Sequence, residues 1–311
     1  MKLLSWNCRG LLGAPAVRSL LDVQRRYNPD ALFLSETHLN EARAEDLMRK
    51  MKMDHRLVAP CLDGRKSGLL LVWKKEVRIY SRTITLEFID VSVEEPDGQM
   101  WRLMGIYGEP SWEHKDRTYR HLRDLHAQSS LPWAVIGDFN EILYSSEKDG
   151  GAPRHQMRLQ AFQDALSDCS LEDIGYEGDR FTWFRGGLRE RLDRAVSNAA
   201  WLQLHPYAGL CSLEMGKSDH RPILLNTEHL AGVAESQPRR KMKFEERWLA
   251  EESVEEIVKT AWQKAVHRGL CPTARDKLNS VHQELHAWDR RVLKGPRARL
   301  RKAQKELEAL M

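Results

Sequence analysis

Several short, largely apolar runs that each end on a polar residue constrain the fold of this chain more than any other feature. Residues 2–6, 31–35 and 133–137 are such runs, and Asn7, Glu36 and Asp138 follow them directly. Runs of this length and composition are typical of buried strands. The pattern therefore predicts strands that deliver a carboxylate or an amide side chain at their ends.

Strand and helix patterns are mixed along the first 230 residues. Further strands are predicted at 68–73, 84–93, 101–107 and 222–226, and a strand pair at 181–184 and 191–196. Helices are predicted from Val17 to a stop at Pro29, at 111–126 and at 156–169. Consecutive strands are expected to be antiparallel, and the sequence has no GxGxxG or GxxxxGK(S/T) phosphate loop. These features favour an α/β (α+β) fold, a two-sheet sandwich with helices outside, over a parallel Rossmann sheet.

The composition is that of a globular protein from a reducing compartment. Apolar residues make up 41% and charged residues 30% of the sequence, which is ordinary for such a protein. No stretch approaches the ~18 apolar residues of a membrane span, and the N-terminus lacks the pattern of a secretory signal. Five scattered cysteines without a CxxC pair argue against a disulfide framework and a structural zinc site. We therefore expect a location in the nucleus or cytoplasm, with no secretion and no membrane partner.

The charge is divided unevenly along the chain. Residues 231–311 contain 18 Lys/Arg and 12 Asp/Glu, a balance of +6, which leaves 31 and 33, a balance of −2, in the first 230 residues. A linker is predicted at 229–240 and a helical basic tail at 241–311, where apolar residues recur at helical spacing. Two stripes carry this spacing: Val254, Ile257, Val258, Ala261 and Trp262, then Leu278, Val281, Leu285, Trp288 and Val292. The basic excess suggests a polyanionic partner, although a solvated helical surface explains it equally well.

Eight polar residues at or near predicted strand ends together suggest one chemistry. They are Asn7, Glu36, Tyr107, Asp138, Asn140, Asp193, Asp219 and His220. Taken singly, each has a simpler explanation, because such residues also form turns and cap helices. Taken in order, they supply what metal-assisted phosphodiester cleavage needs: oxygen ligands for a hard cation, a base for water and donors to the phosphate.

Six short motifs resemble those of the endonuclease/exonuclease/phosphatase family and follow the family's order. They are Trp6-Asn7, Ser35-Glu36-Thr37, Gly105-Ile106-Tyr107, Gly137-Asp138-Phe139-Asn140, Arg191-Leu192-Asp193-Arg194 and Ser218-Asp219-His220-Arg221-Pro222. The resemblance covers residues 1–228 and implies a four-layer α/β/β/α sandwich of the deoxyribonuclease I type. It also implies a divalent metal cofactor, Mg²⁺ or alternatively Mn²⁺.

Within the family, the sequence looks most like the endonuclease domain of plant LINE-type (non-LTR) retrotransposons. Residues 6–10, 137–142 and 181–183 carry this likeness, and residues 240–248 resemble the start of the linker toward a reverse transcriptase. No Tyr-x-Asp-Asp motif of a polymerase is present, so RNA or a reverse transcriptase supplied elsewhere is an expected partner beside the DNA substrate. The likeness implies an endonuclease that nicks DNA and leaves a 3′-hydroxyl.

The resemblance assigns four residues to the metal and leaving-group side. Glu36 would hold the metal, and Asn7 would help to order that site. Asp219 would complete the metal or leaving-group side. Tyr107 would donate to the phosphate or to the leaving oxygen.

The other four residues are assigned to the water and the phosphate. Asp138 would activate or orient the attacking water, and Asn140 would steady the phosphate. His220 would contact the scissile phosphate, with Asp193 orienting the imidazole. The family leaves open whether Asp138 or His220 is the base.

Two positions depart from particular branches of the family. Arg9 stands where apurinic endonucleases have Asp, so a cation replaces a carboxylate on the metal side. This departure argues against abasic-site repair. Tyr107 stands where deoxyribonuclease I-type enzymes use a second histidine, so that branch also fits less well.

Three residues are candidates for DNA contacts. Trp112 lies in a charged loop after the third motif and could stack on a base or pack internally. Arg185 and Arg189 flank two glycines in a predicted hairpin loop, which in family members can enter the DNA groove. They could neutralise phosphates there or belong to a solvated turn.

The sequence thus predicts a metal-dependent DNA endonuclease of retrotransposon origin. One alternative is a decayed retroelement fragment that binds nucleic acid through the basic tail without cleaving it. Another keeps the chemistry and changes the substrate to RNA or to a phosphorylated small molecule such as a phosphoinositide, because the fold hosts several functions.

Overall fold

The computed structural model of the protein describes residues 1–59, 68–229, 248, 251, 253–264, 278, 280–281, 284–285 and 288. The chain forms two compact units, Met1–Glu235 and Ser236–Met311. Apart from His229, the predicted linker at 229–240 lies outside the described residues, as does most of the tail. Among the described helices, none is long and apolar enough to span a bilayer.

The described part of the first unit contains fifteen strands and five helices. The strands are β1 (Lys2–Asn7), β2 (Ala31–Ser35), β3 (His55–Ala59), β4 (Leu69–Trp73), β5 (Arg78–Ile84), β6 (Phe88–Glu94), β7 (Met100–Tyr107), β8 (Trp133–Asp138), β9 (Lys148–Asp149), β10 (Glu172–Asp173), β11 (Trp183–Arg185), β12 (Leu188–Glu190), β13 (Asp193–Ser197), β14 (Gly209–Ser212) and β15 (Ile223–Asn226). The helices are α1 (Ala14–Tyr27), α2 (Glu41–Met51), α3 (Asp116–Ala127), α4 (Gln156–Asp168) and α5 (Ala199–Leu204). Two 3₁₀ turns lie at Trp112–His114 and Ser145–Glu147.

Two six-stranded sheets pack face to face and carry helices on their outer faces. Their strand orders are β14-β15-β1-β2-β4-β3 and β10-β13-β8-β7-β6-β5, while β11, β12 and β9 form a small third sheet. One apolar core lies between the large sheets. A second core joins the first sheet to α1 and α2, and a third joins the second sheet to α3 and α4. This arrangement confirms the predicted α/β/β/α sandwich.

Burial on both faces explains the continuous apolar runs of the central strands. Leu3 of β1 packs in the core between the sheets, whereas the next residue, Leu4, packs in the core beneath α1 and α2. Because side chains alternate along a strand, a strand covered on both sides must be apolar at successive positions. The sequence signal was therefore strongest for these strands.

The sequence predictions failed mainly at edge strands and short elements. The predicted strand at 84–93 is interrupted at residues 85–87, and β5 before it was missed because this edge strand is polar and mostly exposed. The predicted pairing of 181–184 with 191–196 is wrong. β11 instead pairs with β12, and β13 pairs with β8 and β10 in the second large sheet. Helix α2 and the strands β3 and β14 were also not anticipated.

The described part of the second unit contains helix α6 (Val254–Lys264) and further helical residues at positions 278, 280, 281, 284, 285 and 288. Both predicted stripes contribute to its apolar cluster, which comprises Trp248, Val254, Ala261, Val281, Leu285 and Trp288, with Ile257 and Val258 packed against them. Trp262 and Leu278 remain 38% and 57% exposed, so the stripes are narrower than predicted. Val292 lies outside the described residues.

Replacing Gly137 should test how tightly the end of β8 is fitted against β7. An added Cβ would lie 2.0 Å from the carbonyl oxygen of Ile106, and the glycine has a φ of +150°. We expect Gly137→Ala to lower the free energy of unfolding by about 2–4 kcal/mol in urea denaturation. Gly13→Ala is the control, since its Cβ would meet only Pro15 Cδ at 3.7 Å. Equal stability of the two variants would contradict this account.

Candidate active site

The polar residues of the six motifs converge because the strands that carry them end together. β1 and β2 are parallel and bring Asn7 opposite Ser35, next to Glu36. β7 and β8 are also parallel and bring Tyr107 opposite Asp138. The antiparallel strand β13 begins at Asp193, directly opposite Asp138. The register of the two sheets therefore assembles the site.

Asn7 links the carboxylates of the two sheets. Its side-chain amide donates to Glu36 Oε1 at 2.9 Å and to Asp138 Oδ2 at 3.0 Å. The hydroxyl of Tyr107 also donates to Glu36 Oε1, at 2.9 Å. Asn7 and Asp138 are both 1% exposed, whereas Glu36 is half-buried, so the site opens to solvent on the Glu36 side.

His220 lies between two buried carboxylates. Its Nδ1 is 2.9 Å from Asp193 Oδ2, and its Nε2 is 3.8 Å from Asp138 Oδ2. The ligating atoms of these three residues all lie within 4.8 Å of one another. Trp6 Nε1 donates to the backbone carbonyl of His220 at 2.9 Å, which fixes the segment that carries the imidazole.

The electrostatics of this group favour a charged imidazole. Burial by itself lowers the pKa of His220, but the negative charges of Asp193 and Asp138 outweigh it and raise this pKa to about 9. Burial raises the pKa of Asp138, and the charge of Asp193 adds to this effect, while His220 opposes it. Burial also raises the pKa of Tyr107, which keeps its phenol protonated as a donor.

Asp219 lies beside this cluster and is paired with Arg9. Its Oδ2 accepts from Arg9 Nη1 at 2.5 Å and from Trp183 Nε1 at 3.1 Å. Its Oδ1 is buried and has no hydrogen-bond partner within the described part of the chain. Arg9 is itself 53% exposed in its side chain, so its guanidinium reaches the surface of the site.

Three residues around the site have left-handed backbone conformations that non-glycine residues rarely adopt. Arg9, Glu36 and Asn140 have φ angles of 47°, 48° and 52°. Such conformations cost about 1–3 kcal/mol each and persist where the surroundings hold them. Backbone hydrogen bonds do so here: the amide of Asn140 donates to Asp138 Oδ1 at 2.7 Å, and the amide of Gly10 donates to the Glu36 carbonyl at 2.7 Å.

Lys115, just before α3, holds the loop that presents Asn140. Its Nζ donates to the backbone carbonyls of Glu109, Phe139 and Asn140, the last at 2.8 Å, and the side chain is 1% exposed. Burial lowers the pKa of Lys115 to about 8, although Glu141 and Asp138 partly oppose this. The side chain of Asn140 in turn donates to the Gly108 carbonyl at 2.9 Å.

A buried ion cluster fixes β13 without neutralising Asp193. Arg191 and Arg194 precede and follow Asp193, and both pair with Glu147 and Asp173 at 2.7–2.8 Å. Burial would raise the pKa of Glu147, but Arg194 and Arg191 hold this pKa below its usual value. The two arginines are therefore occupied, and the Asp193 carboxylate remains available to His220.

The three predicted DNA-contact residues lie outside the hydrogen-bonded cluster. Trp112 is half-buried in the loop between β7 and α3, with the guanidinium of Arg158 4.8 Å from its ring centre. Arg185 and Arg189 are exposed on the β11–β12 hairpin. Arg189 already forms an ion pair with Asp149.

Sequence reasoning missed three residues that support the site. The ring of Trp183 lies 6.5 Å from that of His220, and its Nε1 donates to Asp219. Lys115 binds the carbonyls of the loop that carries Asn140. The hydroxyl oxygen of Thr182 accepts hydrogen bonds from the backbone amides of Leu192 and Asp193. The signal for Thr182 and Trp183 was present, since both belong to a motif that carried the family resemblance.

The chemistry of the donor set suits a hard divalent cation. Glu36, Asp138 and Asp219 offer carboxylate oxygens, the ligands that Mg²⁺ prefers. The buried Asp219 Oδ1, which lacks a hydrogen-bond partner among the described residues, would gain one from such an ion or its water. A cation would also compensate the negative charge concentrated around Asp138 and Asp193.

Residues 4–220 match the Endonuclease/Exonuclease/phosphatase family, and the chain belongs to this family. Its members are hydrolases that generally depend on a divalent metal, and the fold is that of nucleases and phosphodiesterases. A comparison of the sequence with curated proteins gives no match.

Three solved structures illustrate the structural relationship. The AP endonuclease LMAP from Leishmania major has a TM-score of 0.58 at 17% identity, over 72% of this chain and 86% of that chain. The 3′ phosphatase NExo from Neisseria, bound to a product DNA hairpin, has a TM-score of 0.56 at 18% identity, over 73% and 98%. The endonuclease domain of TRAS1, a telomere-specific non-LTR retrotransposon, has a TM-score of 0.55 at 16% identity, over 72% and 97%. At these identities the likeness shows a shared fold.

Removing the Lys115 ammonium should destabilise the loops around Asn140. Lys115→Met leaves three backbone carbonyls without their donor, and we expect the free energy of unfolding to fall by about 2–4 kcal/mol. Hydrogen exchange at residues 139–141 should accelerate more than in the strands. Lys75→Met, at an exposed position, should change stability by less than about 0.5 kcal/mol. Similar behaviour of both variants would show that Lys115 does not hold these loops.

Proposed function

We propose that this protein is a Mg²⁺-dependent DNA endonuclease of retrotransposon origin that leaves a 3′-hydroxyl at the nick. The observation that carries the proposal is the buried group of Asp138, Asp193 and His220 beside the more open carboxylate of Glu36. The group has the geometry that water attack on a phosphodiester requires: a carboxylate, an oriented imidazole and a neighbouring phenol donor.

Glu36 and Asp219 would hold the metal, and Asn7 would help to order the Glu36 side of that site. When bound, the cation supplies charge stabilisation for the phosphate oxygens and for the leaving oxygen. Both hydrogens of the Asn7 amide are already directed at Glu36 and Asp138, so Asn7 acts by positioning the two carboxylates.

We assign the base to Asp138 and the phosphate contact to His220. The Nδ1 of His220 is held by Asp193, which leaves Nε2, 3.8 Å from Asp138, as the atom that can donate to a phosphate oxygen. With Nδ1 held by Asp193, His220 is placed to donate to the phosphate, and Asp138 is the neighbouring carboxylate that would accept a proton from water. The side-chain amide of Asn140 has a second hydrogen that would donate to the phosphate, and the hydroxyl of Tyr107 would donate there in place of its bond to Glu36.

Support for DNA as the substrate comes from the motifs and from the similar solved structures. NExo is described with a product DNA hairpin, and the TRAS1 domain belongs to a retrotransposon. The plant LINE-type motifs favour the retroelement branch, in which a reverse transcriptase supplied elsewhere, with its RNA template, would use the 3′-hydroxyl. Trp112, Arg185 and Arg189 are the residues proposed to contact the DNA.

Nicking of supercoiled plasmid by the full-length protein tests this function. We expect open circles with Mg²⁺ and none with a chelator, and we expect Glu36→Gln and His220→Ala to abolish nicking. Glu172→Gln and His55→Ala are matched controls, because both residues are exposed and lie outside the site. Mn²⁺ is tested in parallel as the alternative metal.

The same assay separates the alternatives. Binding of plasmid without nicking would favour a decayed nucleic-acid-binding fragment and would contradict the enzyme. Metal-dependent cleavage of RNA or of a phosphorylated small molecule, with intact plasmid, would keep the chemistry and overturn the DNA substrate. Nicking that survives both Glu36→Gln and His220→Ala would place the activity elsewhere or in a contaminant.

Asp193→Asn should impair catalysis while leaving the fold in place. An amide cannot stabilise the charged imidazole as a carboxylate does, so the pKa of His220 should fall in an NMR titration. We expect nicking to slow by at least about 10-fold. Asp168→Asn, which removes an exposed partner of Arg123, should change neither quantity. An unchanged rate in Asp193→Asn would exclude an orienting role.

The Arg9–Asp219 pair leads to a prediction about substrate preference. Because Arg9 places a cation against Asp219, we expect no preference for abasic DNA. Duplexes with and without a single abasic analogue should be cut at similar rates, with an apurinic endonuclease as the positive control. Selective incision at the abasic position would contradict this assignment.

A further inference from the structure

A second group of side chains of metal-binding types lies on the β14 edge of the first sheet, two strands away from β1, which ends at Asn7. It consists of Glu177, which precedes β11, Cys211 of the edge strand β14 and His229, which follows β15. β15 ends at Asn226, opposite Lys2 at the start of β1, whereas Asn7 ends that strand. The group is therefore separate from the site described above.

The backbone fixes Glu177 directly beside Cys211. The amide of Glu177 donates to the Leu210 carbonyl and the amide of Ser212 donates to the Glu177 carbonyl, both at 2.8 Å. Gly178 permits this approach, because a Cβ there would lie 2.7 Å from the Ser212 carbonyl oxygen and its φ is +95°. Two of the three side chains are thus placed by a bridge between their main chains.

The imidazole of His229 packs directly against the backbone of β14. A Cβ at Gly209 would lie 2.5 Å from His229 Cδ2, so the absence of a side chain at this position makes room for the imidazole. The backbone amide of His229 donates to the Asn226 carbonyl at 3.4 Å, which holds the turn after β15. The imidazole therefore rests against the same strand that carries Cys211.

The ligating atoms are close to the spacing of a tetrahedral site. His229 Nε2 lies 3.0 Å from Glu177 Oε2, and Cys211 Sγ lies 3.9 Å from each ring nitrogen. Tetrahedral zinc with bonds of about 2.0–2.3 Å keeps its ligand atoms roughly 3.3–3.6 Å apart. All three ligating atoms lie within 4.8 Å of one another, so side-chain shifts of up to about 1 Å would bring them onto one ion.

The chemistry of the group selects the metal. An ion pair explains the contact between Glu177 and His229, but it does not require a thiol on the same side of the ring. Thiolate and imidazole ligands favour Zn²⁺ over Mg²⁺, which prefers oxygen ligands alone. The three residues are separated by 34 and 18 positions in the sequence. They therefore form no short motif of the CxxC type from which a metal site could be predicted.

We propose that Glu177, Cys211 and His229 bind one Zn²⁺ ion, with a water molecule as the fourth ligand. Binding releases the thiol proton to solvent, and the thiolate then bonds to the metal. The ion would tie the turn after β15 to the edge strand β14 and to the segment before β11. This site is independent of the proposed nuclease centre.

Cobalt substitution in the full-length protein tests the site, because cobalt bound to a thiolate has a near-ultraviolet charge-transfer band that oxygen-bound cobalt lacks. We expect one equivalent of Co²⁺ to produce this band together with the visible bands of tetrahedral cobalt, and Zn²⁺ to remove both. Cys211→Ser should abolish the charge-transfer band. His229→Ala and Glu177→Gln should weaken cobalt binding by at least about 10-fold.

Cys8→Ser, Cys169→Ser and Asp138→Asn serve as controls and should retain the band. The proposal is overturned if the wild-type protein gives no thiolate band, or if the band survives Cys211→Ser. It is equally overturned if Glu177→Gln and His229→Ala bind cobalt like the wild type. These two variants keep the cysteine, and circular dichroism establishes that each is folded, so the test stands even if Cys211→Ser does not fold.

Discussion

The burial of two carboxylates on facing strand positions is the constraint on which the rest of this structure depends. Asp138 and Asp193 pair across β8 and β13 and are 1% and 2% exposed. Two buried like charges repel strongly unless something compensates them. His220 supplies part of the compensation as a cation between them. A divalent metal near Glu36 would supply the remainder, which links the stability of the site to the chemistry proposed for it.

The surrounding architecture protects this arrangement from competing interactions. Arg191 and Arg194 flank Asp193 in the sequence, but both pair with Glu147 and Asp173 in a separate buried cluster. Arg9 likewise pairs with Asp219 rather than with the central carboxylates. The ion pairs around the site thus determine which carboxylates remain available to His220 and to a metal.

The secondary-structure elements that could be predicted are those whose pattern lies within a short stretch of sequence. Strands buried on both faces have continuous apolar runs, and Asn7, Glu36 and Asp138 could be identified because each directly follows such a run. The convergence of these ends was implied by the family resemblance, and the parallel registers of β1 with β2 and β7 with β8 account for it physically. Polar edge strands such as β5 carry no comparable signal, since one of their faces and one of their edges meet solvent.

Contacts between distant segments could not be predicted in this way. Lys115 reaches carbonyls 24 and 25 residues away, and Glu177 meets His229 across 52 residues. Neither the contacts of Lys115 nor the contact between Glu177 and His229 follows a recognisable sequence spacing. The order of strands in the sheets and the crossovers between them determine which distant residues meet. Arg9 departs from the apurinic endonucleases, and this departure is visible in the sequence. Its pairing with Asp219 is not visible there, because it depends on how the fold places the segment after β1 beside the segment before β15.

The reaction proposed for this site is the hydrolysis of DNA with a divalent metal, which leaves a 3′-hydroxyl. Its most direct test is to treat plasmid with the full-length protein and Mg²⁺, and then to add a DNA polymerase with labelled nucleotides. We expect immediate incorporation of label at the nicks, without prior phosphatase treatment, and no incorporation with His220→Ala. Nicks that accept label only after removal of a 3′-phosphate, or plasmid that remains supercoiled, would contradict it.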